Sequence, residues 1–167
     1  MVVASLALAQ ERGLAAPTVA ARHFHTRAGL GDAALLAAYR CCEGLMRSRG
    51  LAMMGLAVHS KASLDASIRA AFGDMVTRLL DRENRSDLRG TVIHLLTEKI
   101  QVRRLHGPVL AAYVAPASLQ RVIGAQGVTD IVFVPHTPSD LDDYLTACPD
   151  SQECYPMSSF ALDVLAP

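Results

Sequence analysis

The stretch from Val109 to Thr146 constrains the fold most, because its rhythm admits few architectures. Val109 to Val114 is a short apolar run, Pro116 to Ile123 reads as a short helix, and Gly124 to Gly127 is a turn. Asp130 to Val134 repeats the apolar run and Ser139 to Thr146 repeats the short helix. Such runs, bounded by turn residues, suit strands buried on both faces. A strand–helix–strand–helix order with crossovers this short predicts at least one parallel pair.

Upstream, the pattern predicts helices. Val2 to Arg12 reads as one, stopped by Gly13, and Pro17 opens a second that runs to Ala28. Asp32 caps a third, ending before Gly50, in which Leu35, Leu36, Tyr39, Cys42 and Met46 recur at three- and four-residue spacing. Leu51 to His59 is a third apolar strand. Ser63 caps a long helix from Leu64 to Asp81, and Ser86 or Asp87 opens another that reaches Arg104 before Gly107-Pro108. The fold class expected is therefore α/β (or α+β). It is a small, at least partly parallel, three-stranded sheet packed with about six helices and preceded by an all-helical N-terminal part.

At 167 residues the chain suits a single domain. It divides into a helical part (1–50), a strand-containing part (51–147) and an irregular tail (148–167), where Phe160 to Leu165 reads as an edge strand or a core-packing segment. An apolar fraction of 51% excludes a disordered tail, while 5% aromatics and no Trp leave little for a base-stacking surface, so no nucleic-acid partner is expected. No run approaches the length of a membrane span, and the apolar Met1 to Ala9 lacks the basic start of a signal peptide. Cys41 and Cys42 lie in an apolar helical stretch and read as buried thiols. Cys148 and Cys154 form neither a redox CxxC pair nor a zinc knuckle. A reducing, cytoplasmic setting follows as the expectation.

The formal charge is zero, yet residues 1–104 carry +6 and residues 105–167 carry −6. That asymmetry suits either two halves that complement one another or an acidic or basic protein partner. Arginine outnumbers lysine 14 to 2, which reads as compositional bias more than phosphate recognition.

In open α/β sheets ligands bind beyond the carboxyl ends of strands, where helix N-termini present free N–H groups. Those positions hold His59, Ser60, Lys61 and Ser63 after the first strand, Ser118 after the second, and His136, Thr137 and Ser139 after the third. His136 and His59 are the candidate proton carriers, and Ser60, Lys61, Ser63, Ser118, Thr137 and Ser139 the candidate binding groups. The plainer reading makes the hydroxyls helix caps and the histidines turn residues. Asp140 and Asp143 share a helix face beside His136 and are the residues a hard cation would use, but acids in a first turn are favoured without any metal, so no metal is expected. His23 and His25, two apart, point to different sides of the predicted helix and receive no shared role. The sequence has no GxGxxG, Walker loop, GxSxG, HExxH or paired CxxC, and no cofactor is expected.

The function expected is a small binding or accessory module that self-associates or takes a small ligand. The alternative is an enzyme acting on a small anionic, phosphorylated substrate at the strand rim through His136 and His59.

Overall fold

The two apolar runs of the alternating stretch do pair in parallel: Val109 stands beside Ile131, Leu110 beside Val132 and Ala111 beside Phe133. The computed structural model describes residues 21–27 and 32–154. The first elements in chain order are β1 (Arg22–His25), α1 (Asp32–Arg49), β2 (Met53–Ala57), a 3-10 turn (Lys61–Ser63), α2 (Ala66–Phe72) and α3 (Asp74–Glu83). There follow β3 (Arg85–Leu88), β4 (Thr91–Leu96), β5 (Arg104–Ala112), a second 3-10 turn (Pro116–Ser118), α4 (Leu119–Val122), β6 (Gln126–Val134), α5 (Pro138–Ala147) and β7 (Gln152–Glu153). One sheet holds the strands in the order β3-β4-β2-β5-β6-β1-β7, parallel except for β3. The class is α/β. No helix among the described residues is long and apolar enough to cross a membrane.

Alternation of side chains along each strand divides the apolar residues into two layers. On one face Met54, Leu56, Leu110, Ala112, Val132 and Val134 pack with Leu35, Ala38, Cys42 and Met46 of α1 and with Ile68, Phe72, Val76 and Leu80 of α2 and α3. On the other, Val109, Ala111, Ile131 and Phe133 meet Leu119, Val122 and Tyr144 of α4 and α5. Strands covered on both sides need no polar alternation, which is why β5 and β6 read as continuous apolar runs.

Several sequence expectations are corrected. The sheet has seven strands instead of three, and five helices are present among the described residues instead of about six. The N-terminal part is not all helical: Arg22–His25, predicted inside a helix opened by Pro17, is a strand paired with β6 and β7. Arg85–Leu88 and Thr91–Leu96 replace the helix predicted from Ser86 or Asp87 to Arg104. Their turn, Arg89-Gly90, joins a hairpin in which Leu88 faces Thr91, and the β-branched run Thr91-Val92-Ile93 suits a half-buried pleat. The predicted helix from Leu64 to Asp81 is two helices, because Gly73 holds a φ of 90°, which a residue with a Cβ disfavours. Asp65, not Ser63, caps α2, accepting from the amides of Ser67 and Ile68 at 3.0 and 3.2 Å. Val2 to Arg12 and Phe160 to Leu165 lie outside the described residues. The tail still contributes β7.

An ion network ties α1 to the sheet. Asp130, on β6 and fully buried, accepts from Arg22 Nε of β1 at 2.8 Å and from Arg49 Nη1 of α1 at 2.9 Å. Thr129 Oγ1 adds a third donor at 2.8 Å.

Candidate functional site

The strand rim is occupied largely by its own local bonding. Thr137 caps α5 through a capping box: its Oγ1 accepts the Asp140 amide at 3.2 Å, while the Asp140 carboxylate accepts the Thr137 amide at 2.9 Å. Ser139 is exposed in the first turn of that helix, and Asp143 is exposed one turn on. Lys61 Nζ donates to the carbonyl oxygen of Asp81, which turns it toward α3. Ser60 makes no side-chain cap, and Ser63 closes the short 3-10 turn. Ser118 Oγ is buried and accepts from Arg121 Nη2 at 3.0 Å.

His59 and His136 are both exposed beyond the ends of β2 and β6. β5 runs between those strands, so the two backbones stand roughly 10 Å apart at the strand spacing. His136 rests edge-on against Tyr113, with ring centroids 5.7 Å apart, and Tyr113 itself holds a φ of 58°. No hydrogen bond joins His59 to His136 among the described residues. Nor do those residues contain three or more metal-ligating side chains placed to hold an ion.

A denser constellation lies along β1. Because β1 is a strand, residues two apart share a face, which puts His23 and His25 on the same side. His23 Nδ1 lies 2.8 Å from the Tyr144 hydroxyl, and His25 Nδ1 lies 2.9 Å from Ser151 Oγ. The two bonds tie β1 to α5 and to the segment before β7. Each hydroxyl can both donate and accept and each neutral imidazole can do either, so both bonds are satisfied in either polarity.

Tyr144 is held for this role. Its ring is buried and stacked on Phe133, with centroids 4.1 Å apart and planes 13° apart. Burial raises its pKa far above the usual value, with Cys148 adding to the rise and Ser151 opposing it. Burial likewise lowers the pKa of His23. It lowers that of His25 against the opposing pull of the Glu153 carboxylate. Both imidazoles are thus neutral near pH 7, the state in which each ring nitrogen has a distinct role.

Beside these bonds is a cleft of about 380 Å³, lined among others by Arg22, His23, Phe24, Cys148, Asp150 and Ser151. Its floor is the start of β1 and its wall the connection from α5 to β7. The volume is within the range of small-molecule sites.

The depressed imidazoles make a pH prediction. His23, His25 and His94 all have folded-state values below the ordinary 6.5. The unfolded chain therefore binds more protons in acid, and their contribution is complete above 6.5 and lost as pH falls through the folded values. The melting temperature is expected to drop between pH 7 and pH 5, with a shallower drop in His23→Gln. A flat profile would contradict the buried placement of these rings.

Two signals in the sequence went unread. The spacing His23-x-His25 is informative only once the segment is known to be a strand. Gly29-Leu30-Gly31-Asp32-Ala33-Ala34 fits the relaxed G-x-G-x-x-A form of the dinucleotide fingerprint, and it falls between a strand and a helix. Two features oppose that function here. β2, reached through α1, lies three places from β1 instead of beside it, and no acid stands at the end of β2 to hold a ribose. Gly29 to Gly31 are outside the described residues. Compared with protein-family models, curated proteins and solved structures, the chain matches none of them.

Proposed function

We propose that this chain is a small-ligand binding module whose ligand occupies the cleft beside His23. The observation that carries the reading is His23, which is bonded through Nδ1 to the buried Tyr144 hydroxyl at 2.8 Å and lines that cleft. A hydrogen bond between partly buried polar side chains contributes little net stability, and each member is costly if left unpaired. Such groups suit recognition better than packing. A neutral His23 offers one ring nitrogen to Tyr144 and leaves the other as a single donor or acceptor for a polar ligand. Self-association is the weaker half of the reading. The large apolar side chains exposed among the described residues are Leu36 on α1 and Met75 on α3, too scattered for a contiguous patch. A cytoplasmic setting completes the proposal.

Saturation-transfer NMR against mixtures of small polar metabolites tests it. Ligands should lose affinity about tenfold or more in His23→Gln and Tyr144→Phe, the loss of one good hydrogen bond. They should bind His59→Gln and His136→Gln unchanged. No ligand at all, or ligands indifferent to His23, would refute the cleft as the site.

One observation favours the second reading, an enzyme acting on a phosphorylated substrate at the rim. The chain leaves β2 over the α2–α3 face but leaves β5 over the α4 face, the topology at whose carboxyl ends open α/β sheets bind ligands, and His59 and the Tyr113–His136 pair stand beyond those ends. This reading expects inorganic phosphate to raise the melting temperature through linkage, and expects Lys61→Ala and His136→Ala to abolish the rise. If His23→Gln abolishes it instead, the cleft is the anion site.

A further inference from the structure

Among the described residues β3 is one edge of the sheet, paired with β4 alone, while β7 at the other edge is only two residues long. An edge strand presents unpaired main-chain groups, which proteins cover or blunt with charges. The ladder decides which groups β3 presents. The Val92 amide of β4 donates at 2.9 Å to the Ala52 carbonyl oxygen, on the β2 side, whereas the Leu95 amide donates at 2.9 Å to that of Asn84. Antiparallel pairs alternate between bonded and unbonded positions, and Arg85 and Asp87 stand opposite His94 and Val92. The N–H and C=O groups of Arg85 and Asp87 therefore point outward, and those of Ser86 and Leu88 point to β4. The Arg85 and Asp87 side chains are exposed and form no ion pair among the described residues.

We propose that this edge pairs antiparallel with the same edge of a second copy of the chain, Arg85 of one copy facing Asp87 of the other. Hydrogen bonding allows outward residues to face only outward residues. Arg85 against Arg85, or Asp87 against Asp87, sets like charges directly opposite, which is destabilising. Arg85 against Asp87 joins opposite charges twice, once on each side of a two-fold axis through Ser86. Each of those pairs also exchanges both of its main-chain hydrogen bonds. Charges that blunt the edge toward other strands thus complement their own copy, as an interface made of one patch used twice requires.

The same register sets Ser86 opposite its copy. Its hydroxyl is buried and has no hydrogen-bond partner among the described residues, and a second hydroxyl directly across a strand pair is a partner of the right kind. α3 packs over β3, so the axis also brings the two α3 helices side by side, and α3 carries Met75 at 77% exposure. The cleft beside His23 lies toward the opposite edge of the sheet, and the pairing does not depend on it.

Sedimentation equilibrium of the full chain from about 1 μM to about 1 mM spans the affinities of so small an interface. Wild type is expected to be a dimer that dissociates as salt is raised. Arg85→Glu and Asp87→Arg each set like charges opposite, and each should weaken the dimer about tenfold or more. An equimolar mixture of the two variants should dimerise again, because every pair across the axis then joins opposite charges. Arg85→Glu leaves intact the bond in which Asp87 Oδ1 accepts the Gly90 amide at 3.1 Å. If loss of that bond unfolds Asp87→Arg, as circular dichroism would show, Arg85→Glu alone decides. A wild type that is monomeric throughout, a dimer indifferent to Arg85→Glu, or a mixture of folded variants that stays monomeric overturns the proposal.

Discussion

Gly107→Ala is expected to prevent folding, or to cost at least about 4 kcal/mol, a size reserved for a few mechanisms. A Cβ at position 107 would lie 1.9 Å from the Met53 carbonyl oxygen and 3.0 Å from its carbon. Both are backbone atoms of β2, so no rotamer change relieves the overlap. The strands themselves must part, and immediately beyond Gly107 they carry the pairs Gly55–Val109, Leu56–Leu110 and Ala57–Ala111 at the centre of the sheet. The register of β5 against β6 also shifts on either side of Gly107, so the ladder is already irregular there. Gly44→Ala is the control. Its added methyl meets nothing within 4 Å in the middle of α1, and a gain of about 0.5–1 kcal/mol is expected from helix propensity. Urea unfolding of the two variants should therefore move in opposite directions. Equal midpoints would refute the close β2–β5 approach.

Asp130→Ala is expected to be the next most damaging, at about 3 kcal/mol. Removing one member of a buried ion pair typically costs about 3–5 kcal/mol. The lower end applies because the side chains of Arg22 and Arg49 are 55% and 33% exposed and can turn toward water once released. Arg49→Ala alone should cost less, since Arg22 and Thr129 still hold the carboxylate. Replacing Asp130, Arg22 and Arg49 together by Leu, Met and Met should recover much of the loss, as buried ionic groups are seldom more stabilising than well-packed apolar ones. If the triple variant were no better than Asp130→Ala, the penalty would come from shape and not from unpaired charge.

What the sequence revealed follows from where tertiary contacts decide. β5 and β6 were legible because both faces are buried, which makes the apolar run itself the signal. α1 was legible from its stripe and from Asp32. Arg22–His25 was not, because its four residues carry no run and its hydrogen bonds come from β6 and β7, more than 100 positions away. The Arg85–Leu96 hairpin was hidden by charged residues with good helix propensity, overridden by the two-residue turn and the burial of Ile93 and Leu95. The candidate site shared that fate. Its two histidines share a face only at the strand period of two, whereas the surrounding residues suggest a helix. Tyr144 and Ser151 carried no local mark, since their chemistry depends on a strand that only the completed sheet creates.

That completed sheet sets a schedule on the ribosome. β1 pairs with β6 and β7 alone, and α1 spans from β1 to a strand three places away. At about 5–20 residues per second, some 110 residues separate His25 from the end of β6, a wait of roughly 5–20 s. During that interval Phe24 and the apolar stripe of α1 are synthesised but lack the surface they will cover. The β3–β4 hairpin and the β2–β4 pair can assemble meanwhile. The sheet therefore grows from its β3 edge through β2 and β5 to β6, and only then takes in β1 and β7.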